Sequence, residues 1–136
     1  MVKLIVGLAG SGKTKSMIEK VNQTAKEDKG QVVCIERGNK LRYDVSHAVR
    51  LIDSTDYDIR GFQVMRGFLS GLFAGNFDIS HIFVDSLHKV AKMDEIEELE
   101  KFARWMEEFD KDHRVSFTVS VGVSEDKLTE YLRGLL

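Results

Sequence analysis

The sequence feature that most constrains the fold is a glycine-rich segment at residues 7–14, GLAGSGKT, which we call the glycine loop. The apolar run VKLIV precedes it at residues 2–6 and is typical of a buried strand. After the loop, apolar residues recur with helical spacing at Met17, Ile18, Val21 and Ala25. The start of the chain is therefore predicted to run from a strand, through a glycine-rich turn, directly into a helix.

The glycine loop matches the pattern G-x-x-x-x-G-K-[ST], which binds phosphate groups. Glycine lets backbone N–H groups wrap closely around a triphosphate, and a helix that begins near Lys13 adds the positive end of its dipole. We expect Lys13, a catalytic candidate, to reach the β- and γ-phosphates and the Thr14 hydroxyl to contact Mg²⁺. The residues predicted to bind the nucleotide are Gly7, Ala9, Gly10, Ser11, Gly12, Lys13, Thr14 and Lys15. The alternative, a glycine-rich turn without a ligand, gives no reason for the Lys13–Thr14 pair.

The remaining strands and helices alternate along the chain. Further strands are predicted at residues 31–36, 49–53, 80–85 and 114–121, and helices at residues 13–27, 61–75 and 94–111. A short final helix carries Leu128, Tyr131, Leu132 and Leu135. With 136 residues, of which 43% are hydrophobic, the chain suits one domain spanning residues 1–136. The predicted fold class is α/β, a three-layer α/β/α domain with a mostly parallel five-stranded sheet.

Two finer local predictions concern the middle helices. Gly67, Gly71 and Gly75 recur every four residues, which predicts a close approach of another element to one face of the helix at residues 61–75. The sequence DEIE at residues 94–97 resembles a capping box that would open the next helix.

Composition limits the partners and the setting. A net charge of −2 gives no indication of nucleic-acid binding. No apolar run approaches the ~20 residues of a membrane-spanning helix, so no membrane association is expected. The single cysteine, Cys34, lies in an apolar run, cannot form an internal disulfide and is interpreted as a small buried hydrophobe. We expect a reducing, cytoplasmic setting.

A second half of the site is predicted at Asp85, which directly follows the apolar run at residues 82–84. Functional groups collect at the carboxyl ends of parallel strands, and this run has the pattern of a Walker B element. We expect Asp85 to hold Mg²⁺ through a bound water while Thr14 contacts the ion directly. The alternative is an ordinary carboxylate that caps the following helix.

With these two motifs the chain resembles P-loop NTPases of the RecA-like group, whose Walker A and Walker B strands are not sequence neighbours. It is also similar to small bacterial P-loop proteins of unassigned function that are sometimes labelled twitching-motility-type ATPases. Residues 1–136 do not include the N-terminal domain or the additional histidine and aspartate boxes of those motors. The resemblance covers nearly the whole length at the level of the fold, but only residues 7–14 and 82–85 at the level of motifs.

The sequence departs from this group immediately after Asp85. Many RecA-like ATPases carry a glutamate there to position the attacking water, whereas this chain has Ser86. The resemblance therefore implies nucleotide binding more strongly than hydrolysis. Glu36, at the end of the second strand, is the candidate for the missing water-orienting carboxylate and is the second catalytic candidate. A capped strand end or an ion pair with Arg37 is the alternative.

Other polar groups are candidate contacts to the γ-phosphate. Polar residues on the strand next to the Walker B strand sense this phosphate in the resembled group, which makes Thr118 and Ser120 candidates, although a neutral structural role is an equal alternative. His88 lies near the predicted site and is a candidate phosphate or substrate contact. Arginines that could contact the phosphate, including from a neighbouring subunit, are Arg37, Arg42, Arg60 and Arg66.

The predicted function is binding of a nucleoside triphosphate with Mg²⁺, with slow or partner-stimulated hydrolysis. ATP follows from the resemblance, because no motif indicates the base. One alternative is a non-hydrolysing switch that binds a protein partner or a second copy, with residues 37–58 as the mobile segment. Another is a small-molecule, nucleoside-type kinase. Thymidine-kinase-like enzymes usually carry an acid after the Walker B aspartate and a cysteine-rich zinc lasso, and this chain has neither.

Overall fold

A five-stranded, entirely parallel sheet organises the chain in the computed structural model, which describes residues 1–136. Its strands are β1 (Val2–Val6), β2 (Gln31–Glu36), β3 (Arg50–Asp53), β4 (Ile79–Val84) and β5 (Ser116–Val121). Their order across the sheet is β1-β5-β4-β2-β3, and each neighbouring pair is parallel. All carboxyl ends therefore lie at one edge, where β5 separates β1 from β4. The α/β class and the five strands predicted from the sequence are confirmed.

Five helices connect the strands. They are α1 (Lys13–Glu27), α2 (Gly61–Gly75), α3 (Leu87–Val90), α4 (Ile96–His113) and α5 (Glu130–Arg133), with 3-10 turns at Ser54–Asp56 and Glu125–Lys127. The single turn α3 was not predicted, because four residues are too few to show a helical period. None of these helices combines the length and the apolar character that crossing a membrane requires.

Successive side chains of β2 pack into two separate hydrophobic cores, one on each face of the sheet. Val32 and Cys34 pack in a cluster with Met17 and other residues of α1. Val33, the next residue along the strand, belongs to the larger cluster, which includes α2 and α4. Successive side chains of a strand point to opposite faces, so a strand covered by helices on both faces is apolar throughout. Helices thus lie on both faces of the sheet, consistent with three layers.

Cys34 is a core residue rather than a reactive thiol. Its side chain is fully buried and unpaired. Burial, together with the negative charges of Asp85 and Glu36, raises the pKa of its thiol to about 12. The thiolate that reactivity requires is therefore strongly disfavoured, as the interpretation of Cys34 as a small hydrophobe implies.

Two local predictions about the middle helices are wrong. A Cβ built at Gly67, Gly71 or Gly75 meets no atom within 4 Å, so no element approaches this face. Larger side chains orient α2 instead, because burying Phe62 and Met65 removes far more apolar surface from water than burying glycine would. The capping box is absent as well. Helix α4 begins two residues later than predicted, and its N-cap residue makes no side-chain hydrogen bond.

Candidate functional site

The backbone of the glycine loop has a shape that requires glycine. Gly12 is the N-cap residue of α1 and adopts a left-handed conformation with φ 88°. A Cβ on Gly7 would overlap the hydroxyl of Ser11. Residues 8–12 are exposed, so their backbone groups are accessible at the start of α1. This arrangement leaves the first N–H groups of the helix free for an anion.

Lys13 lies across the glycine loop. Its Nζ atom donates a hydrogen bond to the carbonyl oxygen of Leu8 at 3.1 Å, and the N–H of Ser11 donates to the same oxygen at 3.1 Å. The ammonium group is therefore held over the loop by a neutral acceptor and not by a carboxylate. No ion pair competes with an anion for it.

Asp85 and Thr14 meet although they are far apart in sequence. The Thr14 hydroxyl donates to Oδ2 of Asp85 at 3.5 Å. Ser120 donates to Oδ1 at 3.1 Å, and the backbone N–H of Asp85 donates to the carbonyl oxygen of Ile35 at 2.8 Å. The Asp85 carboxylate is thus fixed at the carboxyl end of β4 and directed at the start of α1. It does not cap α3, whose N-cap residue is Ser86.

The oxygen atoms of Thr14 and Asp85 have the chemistry that suits Mg²⁺. This ion prefers oxygen ligands and is usually held by one or two protein groups together with phosphates and waters. No group of three or more His, Cys, Asp or Glu side chains is placed to hold a metal by itself. The two residues therefore fit an ion that arrives with a phosphate ligand, and they do not form an all-protein cage.

Glu36 lies within range of the charge of Asp85, but its carboxylate is already hydrogen-bonded to the backbone. Its side chain is only 3% exposed; Oε1 accepts from the N–H of Lys40 at 3.1 Å and Oε2 from that of Leu41 at 3.0 Å. Burial raises the pKa of Glu36, opposed by these two hydrogen bonds and reinforced by the negative charges of Asp85 and Asp53. This geometry favours the capped-strand-end alternative. A catalytic role for Glu36 stays a prediction.

Ser86, in the position where a glutamate was expected, has an unusual backbone. Its φ is 56° and its ψ 61°, a left-handed conformation that is uncommon outside glycine. Its N–H donates to the hydroxyl of Ser120 at 2.7 Å. Residues held in such conformations are frequent at functional sites, where surrounding structure maintains them. Here the surrounding structure is the Ser120 hydroxyl, which links Ser86 to Asp85.

The two polar candidates on β5 are placed differently. Ser120 is fully buried, and its hydroxyl serves Asp85 and Ser86. The Thr118 hydroxyl hydrogen-bonds Nε2 of His81 at 2.8 Å, so the structure does not bring it to the glycine loop. The support that Ser120 gives to Asp85 was not foreseen, because only the pairing of β4 with β5 places the two residues together.

His88 is brought to the site and fixed in one tautomer. The N–H of Gly122 donates to its Nδ1 atom at 3.0 Å, so in the neutral ring the proton lies on Nε2. Burial lowers the pKa of His88, and the positive charges of Lys89 and Lys13 lower it further, against the opposing effect of Asp94 and Asp85. The neutral ring thus offers one N–H donor, within range of the charges of Lys13 and Asp85. Apart from its position directly after β5, nothing in the sequence indicated Gly122.

The four candidate arginines are dispersed. Arg60 pairs with Asp58 at 3.1 Å, and Arg66 lies 6.0 Å from the ring centroid of Trp105. Arg42 lies over the ring of Tyr43 at 4.7 Å from its centroid. Arg37 is exposed directly after β2. None of them hydrogen-bonds to the glycine loop or to Asp85, so this single chain does not place an arginine at the candidate site.

Neither the scan against models of protein families nor the search of curated proteins found a match to this chain.

Proposed function

We propose that this protein binds a nucleoside triphosphate, with ATP as the first candidate, together with Mg²⁺ at the glycine loop. The observation that carries the proposal is the distance of 3.5 Å between the Thr14 hydroxyl and Asp85, which joins the end of the loop to a carboxylate 71 residues later. A turn that only linked β1 to α1 would require neither residue. Lys13, held over the loop without a carboxylate partner, supplies the positive charge that phosphates need.

The arrangement supports binding more than rapid hydrolysis. An efficient hydrolase needs a group that orients the attacking water. Both carboxylate oxygens of Glu36 accept backbone hydrogen bonds, and both of Asp85 accept from hydroxyl groups. Ser86 replaces the glutamate that many proteins of the resembled group use. We therefore propose a slow NTPase, or one that a partner or a second copy completes with its own residue.

A nucleotide-dependent switch is a second candidate, favoured by the position of Glu36. The two oxygens of this side chain hold Lys40 and Leu41 at the start of an irregular segment, and the charge of Asp85 acts on the same carboxylate. A cation bound beside Asp85 would weaken this repulsion. The nucleotide site and the segment after β2 would then be coupled electrostatically.

Isothermal titration calorimetry with ATP, GTP, CTP and UTP, with and without Mg²⁺, tests the proposal. Lys13→Ala should weaken binding roughly 10- to 100-fold, since it removes a charged donor worth about 1.5–3 kcal/mol. Asp85→Asn should abolish the effect of Mg²⁺ on affinity. Lys26→Ala, a change to an exposed lysine in the last turn of the same helix, is the matched control. Equal affinities for the wild type and Lys13→Ala would refute nucleotide binding at the loop.

Phosphate release measured on the same proteins separates the two candidates. Slow Mg²⁺-dependent release that is lost in Lys13→Ala supports a weak NTPase. Tight binding without any release supports the switch. In that case amide hydrogen exchange of residues 37–49 should differ between the free and the nucleotide-bound protein, and an unchanged pattern would argue against the switch.

A further inference from the structure

A polar cavity of about 450 Å³ opens at the same sheet edge as the glycine loop, yet no residue of the loop lines it. We call it the strand-end cavity. Its wall is formed by residues that follow three neighbouring strands, namely Arg37 after β2, residues 54–59 after β3, and Lys89, Val90 and Lys92 after β4. The volume is within the range of about 300–1,000 Å³ that small-molecule sites occupy. Only three of the ten lining residues are hydrophobic, so a suitable ligand is polar.

The hydroxyl of Ser54 in the cavity wall has no side-chain partner. Ser54 is only 5% exposed. The nearest carboxylate in the sequence, Asp53, accepts instead from the N–H of Gly38 at 2.8 Å and from the N–H and hydroxyl of Thr55 at 2.9 and 2.7 Å. The one fully buried side-chain polar atom without a partner is Nε of Arg66, so the Ser54 hydroxyl itself reaches solvent. A ligand atom in the cavity would find it free to hydrogen-bond.

The charges around the strand-end cavity favour an anion. Arg37, Lys89 and Lys92 all line it, and none of them takes part in any of the ion pairs of the chain. Of the two acidic residues in the wall, Asp58 pairs with Arg60 at 3.1 Å, which leaves Asp56 as the one unpaired carboxylate. Three free cations thus face one free anion. Lys92 has a left-handed backbone with φ 53°, a strained conformation of the kind that clusters at ligand sites.

We propose that the strand-end cavity is a second ligand site that binds a small organic anion. Its carboxylate or phosphate group would meet Arg37 and Lys89, and a further polar atom would hydrogen-bond Ser54. The half-exposed ring of Tyr57 offers a flat surface for the body of the molecule. The inference does not depend on nucleotide binding, because the glycine loop contributes nothing to the wall. The short segment from Asp85 to Lys89, which includes the start of α3, joins the two sites.

Titration of the full chain without nucleotide, followed by ¹H–¹⁵N NMR, tests this site. The probes are glycerol 3-phosphate and malate, with glycerol as the neutral control. We expect either anion to shift the backbone amides of residues 37, 54–59 and 89–92, and the tighter of the two identifies the preferred group. The double variant Arg37→Gln/Lys89→Gln should weaken binding at least roughly tenfold. Lys111→Gln, which changes an exposed lysine on α4, should not alter it.

Two further variants make the outcome decisive. Ser54→Ala should weaken the anion about threefold or more without lowering stability, because the hydroxyl has no side-chain partner to lose. Lys13→Ala should leave the shifts at the cavity unchanged, so a failure of nucleotide binding would not affect this result. Any of four results would overturn the proposal: shifts confined to residues 7–15, equal binding of glycerol, undiminished binding by the double variant, or no shift with either anion.

Discussion

The hydroxyl of Ser120 donates to Oδ1 of Asp85 at 3.1 Å, and both side chains lie almost completely out of solvent. The same hydroxyl accepts from the N–H of Ser86 at 2.7 Å. Ser120 therefore holds both the carboxylate at the end of β4 and the left-handed turn that follows it. Its position on β5, between β4 and β1, is what allows this.

Ser120→Ala should lower the free energy of unfolding by about 1–3 kcal/mol, because it leaves a buried carboxylate oxygen and a partly buried N–H without a partner. Urea denaturation measures this change. Ser70→Ala, a change to a half-buried serine within α2, should not lower the stability by more than about 0.5 kcal/mol. Equal stabilities of the two variants would show that Ser120 does not support Asp85.

Glu36→Gln should reduce stability by about 1–3 kcal/mol, because the amide keeps only one of the two acceptor oxygens that hold Lys40 and Leu41. Affinity for ATP should change less than about twofold. Urea denaturation and calorimetry measure the two quantities, with the exposed Glu108→Gln as the control. A loss of hydrolysis on the order of 100-fold at unchanged stability would support the catalytic role predicted from the sequence.

Gly122→Ala should displace His88, because the added Cβ would lie 2.8 Å from the Cε1 and Nε2 atoms of the ring. The hydrogen bond from the backbone N–H of Gly122 would be lost, and the lowered pKa of His88 should rise toward its ordinary value as the ring becomes more solvated. NMR titration of the histidine ring measures this. Gly71→Ala, at an open position of α2, should leave the His88 pKa unchanged and should not destabilise the fold.

The stability of the protein should fall between pH 7 and pH 4, in part because of His81. Burial lowers the pKa of His81 from 6.5 to about 4. His81 therefore takes up a proton on unfolding. Its contribution to stability is complete above pH 6.5 and is lost as the pH falls toward 4, a change of up to about 3 kcal/mol. Urea denaturation at several pH values should show a smaller fall in His81→Gln, whereas His47→Gln, at an exposed position, should retain the full fall.

Local patterns predicted the strands well because each is short, apolar and bounded by turn residues. The strand containing Asp53 was predicted to begin at residue 49 and begins at Arg50, and the last strand begins at Ser116 instead of residue 114. The end of α1 at Glu27 agrees with the basic and glycine residues that follow it. Local patterns could not predict whether the glycine face of α2 is packed or whether a capping box opens α4. Both depend on which face of a helix packs and where its first turn begins.

The same limit applies to the candidate site: local sequence predicted some of its residues, but not the contacts that hold them. The residues of the glycine loop and Asp85 could be chosen from the sequence because each stands directly after a recognisable apolar run. The two hydrogen bonds that the Glu36 carboxylate accepts from backbone N–H groups could not be predicted, since they depend on the path of the irregular segment after β2. The contact between His88 and Gly122 joins the loops that follow two different strands, and no local pattern encodes it.

The sequence by itself determined an α/β chain whose first strand runs into a helix through a glycine-rich loop, because these properties depend on neighbouring residues. The tertiary structure alone decided the order of the strands, and with it the meeting of Thr14 with Asp85 and of Asp85 with Ser120. It also decided that Arg37, Ser54 and Lys89 line one cavity. Such contacts follow from the parallel order β1-β5-β4-β2-β3, which is set by the burial of both sheet faces and not by any single segment.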